Sequence, residues 1–152
     1  MQTNEAYTKI KSYIEHNPAA VVGTINADGT PYGSVVYVCA LSGQRVCFVT
    51  KNLTQKYVNI SETPRVSLTF FNEKDSSTLQ ASGTAAILND AQLIDMVMDR
   101  MTRIHAIRAE WLPPISKLRA GNYVTICVTL TKARLAEYEG LDIGSEQIFT
   151  EL

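Results

Sequence analysis

The chain has 152 residues, 45% hydrophobic and 19% charged, which suits one globular domain and excludes a disordered or low-complexity chain. A formal net charge of −1 excludes a sequence-wide basic field for nucleic acid or an anionic membrane, although a few local donors could still hold one small anion. No apolar run is long enough to span a bilayer, and the opening segment MQTNEAYTKIKSYIEH lacks the apolar core of a secretion signal, so the expected compartment is the cytoplasm.

Residues 4–16 carry Tyr7, Ile10, Tyr13 and Ile14 on one helical face, with Asn4 as the expected N-cap and Asn17-Pro18 as the stop. Strands follow. AAVVGTIN (19–26) is rich in β-branched residues, Ala27-Asp28-Gly29 has hairpin-turn chemistry, and YGSVVYVCAL (32–41) reads as one second strand. Ser42-Gly43-Gln44 turns into a third strand, RVCFVT (45–50). Helical spacing of Leu53, Lys56, Tyr57 and Ile60 predicts a short helix ending near Glu62.

PRVSLTFF (64–71) is the fourth strand and residues 78–88 the fifth, on which Thr78, Gln80, Ser82 and Thr84 form a polar face. Asn89 and Gln92 resemble a capping box before a helix striped by Leu93, Ile94, Val97, Met98, Met101 and Ile104. YVTICVTL (123–130) alternates cleanly, residues 133–138 continue it, and the tail 140–152 is expected to move or to dock on a partner. This order lacks the regular strand–helix alternation of a doubly wound parallel sheet and favours an antiparallel barrel with helices at its periphery.

Cys39, Cys47 and Cys127 are odd in number and show no CxxC spacing, so they are expected to be buried free thiols, neither a disulfide framework nor a zinc site. His16 and His105 have no ligand-spaced partner, and Met96, Met98 and Met101 read as core filler. Asp95 and Asp99 read as solvated beside Arg100 and Arg103.

The segment 50–56, TKNLTQK, is the most informative. A strand ends and a helix begins there, so free amides and the positive end of the helix dipole invite an anion. Thr50, Asn52 and Thr54 add neutral donors, and Lys51 and Lys56 add charge. The same residues also read as an ordinary helix start capped by Asn52 or Thr54. The face carrying Thr78 and Gln80 either meets water or lines a ligand pocket. Trp111, beside Pro113-Pro114, is a packing anchor or an aromatic wall for a flat ligand.

Taken in order, AVVGTINADGTPYGSVVYV, VCFVTKNLTQKYVNI, TPRVSLTFF and LQASGTA resemble the FMN-binding split barrels related to pyridoxamine 5′-phosphate oxidase, over residues 19–89. The resemblance implies a mainly β fold, a six-stranded antiparallel split barrel of Greek-key type, as a single domain over 1–152. It implies an FMN cofactor and a homodimer with flavin at the subunit interface. Ser34, Val35, Val36 and Tyr37 would lie along the flavin. Val49, Thr50, Lys51, Asn52, Gln55 and Lys56 would surround its phosphate, and Thr78 or Gln80 would approach the ring edge, with Trp111 or the last strand offered by the second chain. Departures are plain. The oxidase has an arginine where this chain has Ser34, a lysine at Cys39 and a basic residue at Gln55. Its C-terminal arginine–histidine substrate motif is absent, which argues against pyridoxamine phosphate as substrate. The implied activity is an FMN-dependent oxidoreductase acting on an unidentified small molecule. The alternatives are a non-catalytic flavin, haem or deazaflavin binder in the same fold, and a structural domain in which 50–56 is only a capped helix.

Overall fold

The computed structural model describes residues 2–104, 120–140 and 148–152. Chain order is α1 (Gln2–His16), β1 (Ala19–Ile25), β2 (Pro31–Tyr37), β3 (Cys39–Leu41), β4 (Arg45–Lys51), α2 (Gln55–Glu62), β5 (Arg65–Asn72), β6 (Ser77–Leu88), α3 (Ala91–Ile104), β7 (Tyr123–Ala136) and β8 (Phe149–Glu151). The strands form one antiparallel sheet in the order β2-β1-β5-β6-β7-β4-β3, with β8 added beside β7. The sheet curls into a half-barrel with peripheral helices, the expected split-barrel class.

Among the described residues eight strands stand where six were expected, for two reasons. The stretch 32–41 is two strands: Val38 gives its N–H to Pro18 O at 2.9 Å, which ends the β2–β1 ladder, and β3 pairs instead with β4. The last residues of the tail are placed within this chain, where Arg134, Leu135 and Ala136 of β7 pair with Glu151, Thr150 and Phe149 of β8. Two caps also differ. Asn4 lies inside α1, and α3 is capped by Asp90, whose Oδ1 accepts from Gln92 N at 3.0 Å, one residue after the expected Asn89. Asp and Asn share the same capping chemistry, so spacing alone does not choose between neighbours.

The alternation of β-branched and small residues gives each strand a buried and an exposed side. The barrel interior holds Val22, Val46, Phe48, Leu68, Phe70, Leu79, Ile126 and Leu135, closed at one end by Ile10 and Ile14 of α1. A second core lies on the other side of β3, β4 and β7, where Val97 and Met101 of α3 cover Cys39, Leu41, Cys47, Val49 and Cys127. Met101 is buried and Met96 and Met98 pack beside it, as core filler should. Arg103 Nε pairs with Asp99 at 3.1 Å on the exposed face of α3.

The expectation of three free thiols fails for two of them. Cys47 and Cys127 are directly opposed in the β4–β7 register and form a disulfide across a sequence separation of 80; Cys39 is free and buried. Directly paired residues of antiparallel strands point to the same side with Cβ atoms close together, so register alone brings the two sulfurs within bonding reach.

Candidate functional site

The corner where β4 leads into α2 is built from a ladder of hydroxyls. Thr50 is fully buried, with its Oγ1 3.1 Å from Thr54 Oγ1. Thr54 Oγ1 donates to Lys51 O at 3.0 Å and accepts from Tyr57 N at 3.4 Å, which makes Thr54 the N-cap. Of the two caps the sequence left open, Asn52 serves otherwise: its N–H donates to Asn122 O and its Oδ1 accepts from Asn122 N, both at 3.0 Å, fastening the corner to the entry of β7. Val58 N is bonded to Thr54 O and Tyr57 N to the cap, so the amides of Gln55 and Lys56 have no acceptor among the described residues.

The two lysines of this corner part company. Lys51 is buried; its Nζ donates to Gly121 O at 3.2 Å and lies 3.8 Å from the centre of the Tyr123 ring, a cation–π contact. It is a tether between β4 and β7. Lys56 is half-buried and has neither a hydrogen bond nor an ion pair among the described residues. Burial alone pushes its ammonium below the usual lysine range. A nearby anion would reverse that shift, because it favours the charged form.

A buried polar network fixes the direction of α2. Asn59, 2% exposed, donates from Nδ2 to Thr24 Oγ1 at 3.0 Å and to Asn26 Oδ1 at 2.9 Å, and its Oδ1 accepts from Gln55 Nε2 at 2.8 Å. Gln55 is thereby held on its own helix, and α2 is tied to the end of β1. Sequence reasoning passed over Asn59; the only signal was an amide residue on the face of a short helix that also carries Ile60.

The strand expected along the flavin divides by alternation. Val36 is buried in the barrel, while Val35 is 62% exposed on the opposite side. Ser34 points with Val36, and its Oγ is buried without a hydrogen-bond partner among the described residues. Tyr37 is partly buried against the second core, and Val49 is enclosed within it. Among the described strands β2 is also a sheet edge, so half of its main-chain N–H and C=O groups face away from β1.

Thr78 and Gln80 lie elsewhere. Gln80 borders a cleft of about 460 Å³ lined with Ser82, Lys132, Arg134, Glu151 and Leu152. Arg134 there pairs with Glu151 at 3.0 Å and stacks 3.6 Å from the centre of the Phe149 ring. Thr50 is in register with Val124 and Gln80 with Arg134, so roughly 33 Å of extended β7 separates the two positions. One chain therefore does not bring Thr78 and Gln80 to the 50–56 corner. Trp111 and His105 lie outside the described residues. His16 ends α1 with its Nδ1 2.7 Å from Ser12 O. Among the described residues no three His, Cys, Asp or Glu side chains converge as a metal site, and no helix is long and apolar enough to cross a membrane.

Known proteins match this arrangement at the level of fold. A structure described as F420 reductase superposes with a TM-score of 0.65 at 22% identity, covering 81% of this chain and 94% of that one. General stress protein 26 from Bacillus anthracis gives 0.64 at 19% identity, covering 89% and 94%. A heme binding protein from Mycobacterium smegmatis gives 0.65 at 12% identity, covering 97% of this chain and 57% of that longer one. A search of the curated proteins finds no significant match. The sequence profile of the pyridoxamine 5′-phosphate oxidase family matches residues 7–136, nearly the whole chain, and the protein belongs to that family.

Proposed function

We propose that this protein binds FMN through the β4–α2 corner and works in the cytoplasm as a homodimeric oxidoreductase on a small molecule other than pyridoxamine phosphate. The observation that carries the reading is Lys56: a half-buried ammonium without a partner among the described residues, beside two first-turn amides that have no acceptor. The residues present fit the cofactor. Lys56 and the unbonded amides of Gln55 and Lys56 suit a terminal phosphate, while Thr50, Thr54, Lys51 and Asn52 hold the corner's shape. The orphan Ser34 hydroxyl is a polar atom that a ring edge would satisfy. FMN, when bound, supplies hydride or electron transfer, and the protein's part is to anchor, orient and exclude water.

The test is an FMN titration followed by absorption and fluorescence. Lys56→Ala is expected to weaken binding by about 1–3 kcal/mol, roughly 5- to 150-fold in Kd, because a charge-assisted bond to phosphate is lost. Wild-type protein that stays colourless and cannot be loaded with FMN overturns the proposal. Parallel titrations with a deazaflavin and with haemin distinguish the cofactors named for the structural neighbours.

The homodimer reading rests on the sheet. Val21, Val35 and Phe71 are 44%, 62% and 60% exposed on strands β1, β2 and β5, with Val21 and Val35 directly paired. A second copy packed on this face would also explain how Gln80, distant from the corner within one chain, could serve a flavin. Val35→Asp is expected to cost association about 3 kcal/mol, roughly a hundredfold, by burying an unpaired carboxylate. Sedimentation velocity reads the result; an unchanged monomer–dimer balance removes this face from the interface.

A further inference from the structure

Three sulfurs stand in one row across the sheet. Cys39 of β3 is in register with Cys47 of β4, and Cys47 with Cys127 of β7. Strands lie about 4.8 Å apart, and directly paired residues point to the same side, so Cys47 sits between the other two. Exchange at a disulfide sulfur proceeds in line, with nucleophile and leaving group on opposite sides of the sulfur attacked. The row supplies that order: Cys39 thiol, Cys47 centre, Cys127 leaving group.

By exposure the three sulfurs are alike: Cys47 is fully buried, Cys127 is 4% exposed beneath α3 and Cys39 is 5% exposed. Cys39 belongs to an edge strand and lines a cleft of about 410 Å³ between α1, β3 and α3, together with Lys11, Glu15, Val38, Ala40, Arg100 and Arg103. Lys11 lies 3.7 Å from Glu15, and Arg103 is paired with Asp99. Arg100 has no ion pair among the described residues, which leaves the cleft with an uncommitted cation over the thiol.

We propose that Cys39 is an exchange port, through which small thiols carrying carboxylates, received in the cationic cleft, reduce the buried Cys47–Cys127 disulfide. The Cys39 thiolate attacks Cys47 Sγ. A Cys39–Cys47 bond forms as the Cys47–Cys127 bond breaks, and Cys127 leaves with the electron pair and is protonated in place of Cys39. An external thiolate then attacks Cys39 Sγ, forming a mixed disulfide and releasing Cys47, which takes that thiol's proton. A second external thiolate removes the first as a symmetrical disulfide and restores Cys39. Two external thiols are oxidised, and one protein disulfide is reduced to two thiols. Burial pushes the Cys39 thiol up to about 11, with the Arg100 guanidinium pulling the other way. The port is therefore slow at neutral pH and quickens as pH rises. Lys11 and Glu15 on α1 and Arg100 and Arg103 on α3 are the charged groups lining its cleft.

The experiment follows reduction of the native oxidised protein by reduced glutathione and by neutral 2-mercaptoethanol, with acid quenching, alkylation and intact-mass counting of free thiols. Wild type is expected to lose the disulfide at least about tenfold faster than Cys39→Ala and Cys39→Ser, as an intramolecular first step requires. Arg100→Glu is expected to remove the advantage of glutathione over 2-mercaptoethanol at equal thiolate. Cys127→Ser, isolated under air, is expected to carry a Cys39–Cys47 disulfide by peptide mapping; this decides the row even if the Cys39 variants do not fold. Equal reduction rates with and without Cys39, or two free thiols in oxidised Cys127→Ser, overturn the port. Equal rates with the two reagents in wild type overturn the anionic ligand class.

Discussion

Phe48→Ala is expected to cost about 3–5 kcal/mol of folding stability, the range for removing a fully buried aromatic ring from a packed core. The ring has no solvent exposure and lies inside the barrel, on the strand that ends at the β4–α2 corner. Its neighbours there, among them Leu68, Phe70 and Ile126, belong to strands held by main-chain ladders on both sides and collapse only partly into the space. For a chain of this length the loss corresponds to roughly 6–20 °C in Tm, measured without added ligand. Val58→Ala, which trims a side chain 48% exposed on α2, is the control and is expected to stay within about 0.5 kcal/mol of wild type. A Phe48→Ala protein that melts with wild type would mean that the barrel interior is not the main source of stability.

Gly83→Val is expected to cost at least about 3 kcal/mol, because the obstacle is backbone rather than side chain. A Cβ at Gly83 would enter the carbonyl oxygen of Thr129 and lie 2.9 Å from both its carbonyl carbon and Val128 Cγ1. The residue sits where the β6–β7 register shifts, after Ser82, and Thr131 Oγ1 donates to Ser82 O at 3.3 Å beside it. Relief requires prying apart a pairing that runs the length of β6. Gln80 and Arg134 are paired just beyond the irregularity, so the cleft they share would be distorted as well. A denaturant midpoint close to wild type would show that the sheet opens there at little cost.

Much of the fold was legible because its strands are short, β-branched and bounded by chemically explicit turns. Gly29 and Gly43 adopt positive φ, as their hairpins require. Asp28 closes the first of those hairpins by accepting from Thr30 N at 3.0 Å and Thr30 Oγ1 at 2.6 Å. The break at Val38 was not legible. YGSVVYVCAL contains no breaker between Tyr37 and Cys39, and the cause is a carbonyl at Pro18, twenty positions upstream. The Cys47–Cys127 bond was hidden for the same reason: spacing along the chain says nothing about the register of strands eighty residues apart.

The corner itself was recognised from its polar residues, but composition treated Lys51 and Lys56 alike. Alternation along β4 turns Lys51 onto Tyr123, and the start of a helix leaves Lys56 unclaimed. The separation of Gln80 from Thr50 likewise depends on where each strand meets β7, which no single segment encodes.

The amide of Asn59 gives the helix head a second address. Through Asn26 it reaches the β1–β2 turn, where Asn26 Nδ2 also donates to Thr30 Oγ1 at 3.1 Å. The turn and the first residues of α2 are thus joined like two leaves on one hinge pin. Cutting the Asn59 amide is therefore expected to loosen turn and helix together, although 33 positions separate Asn59 from Asn26.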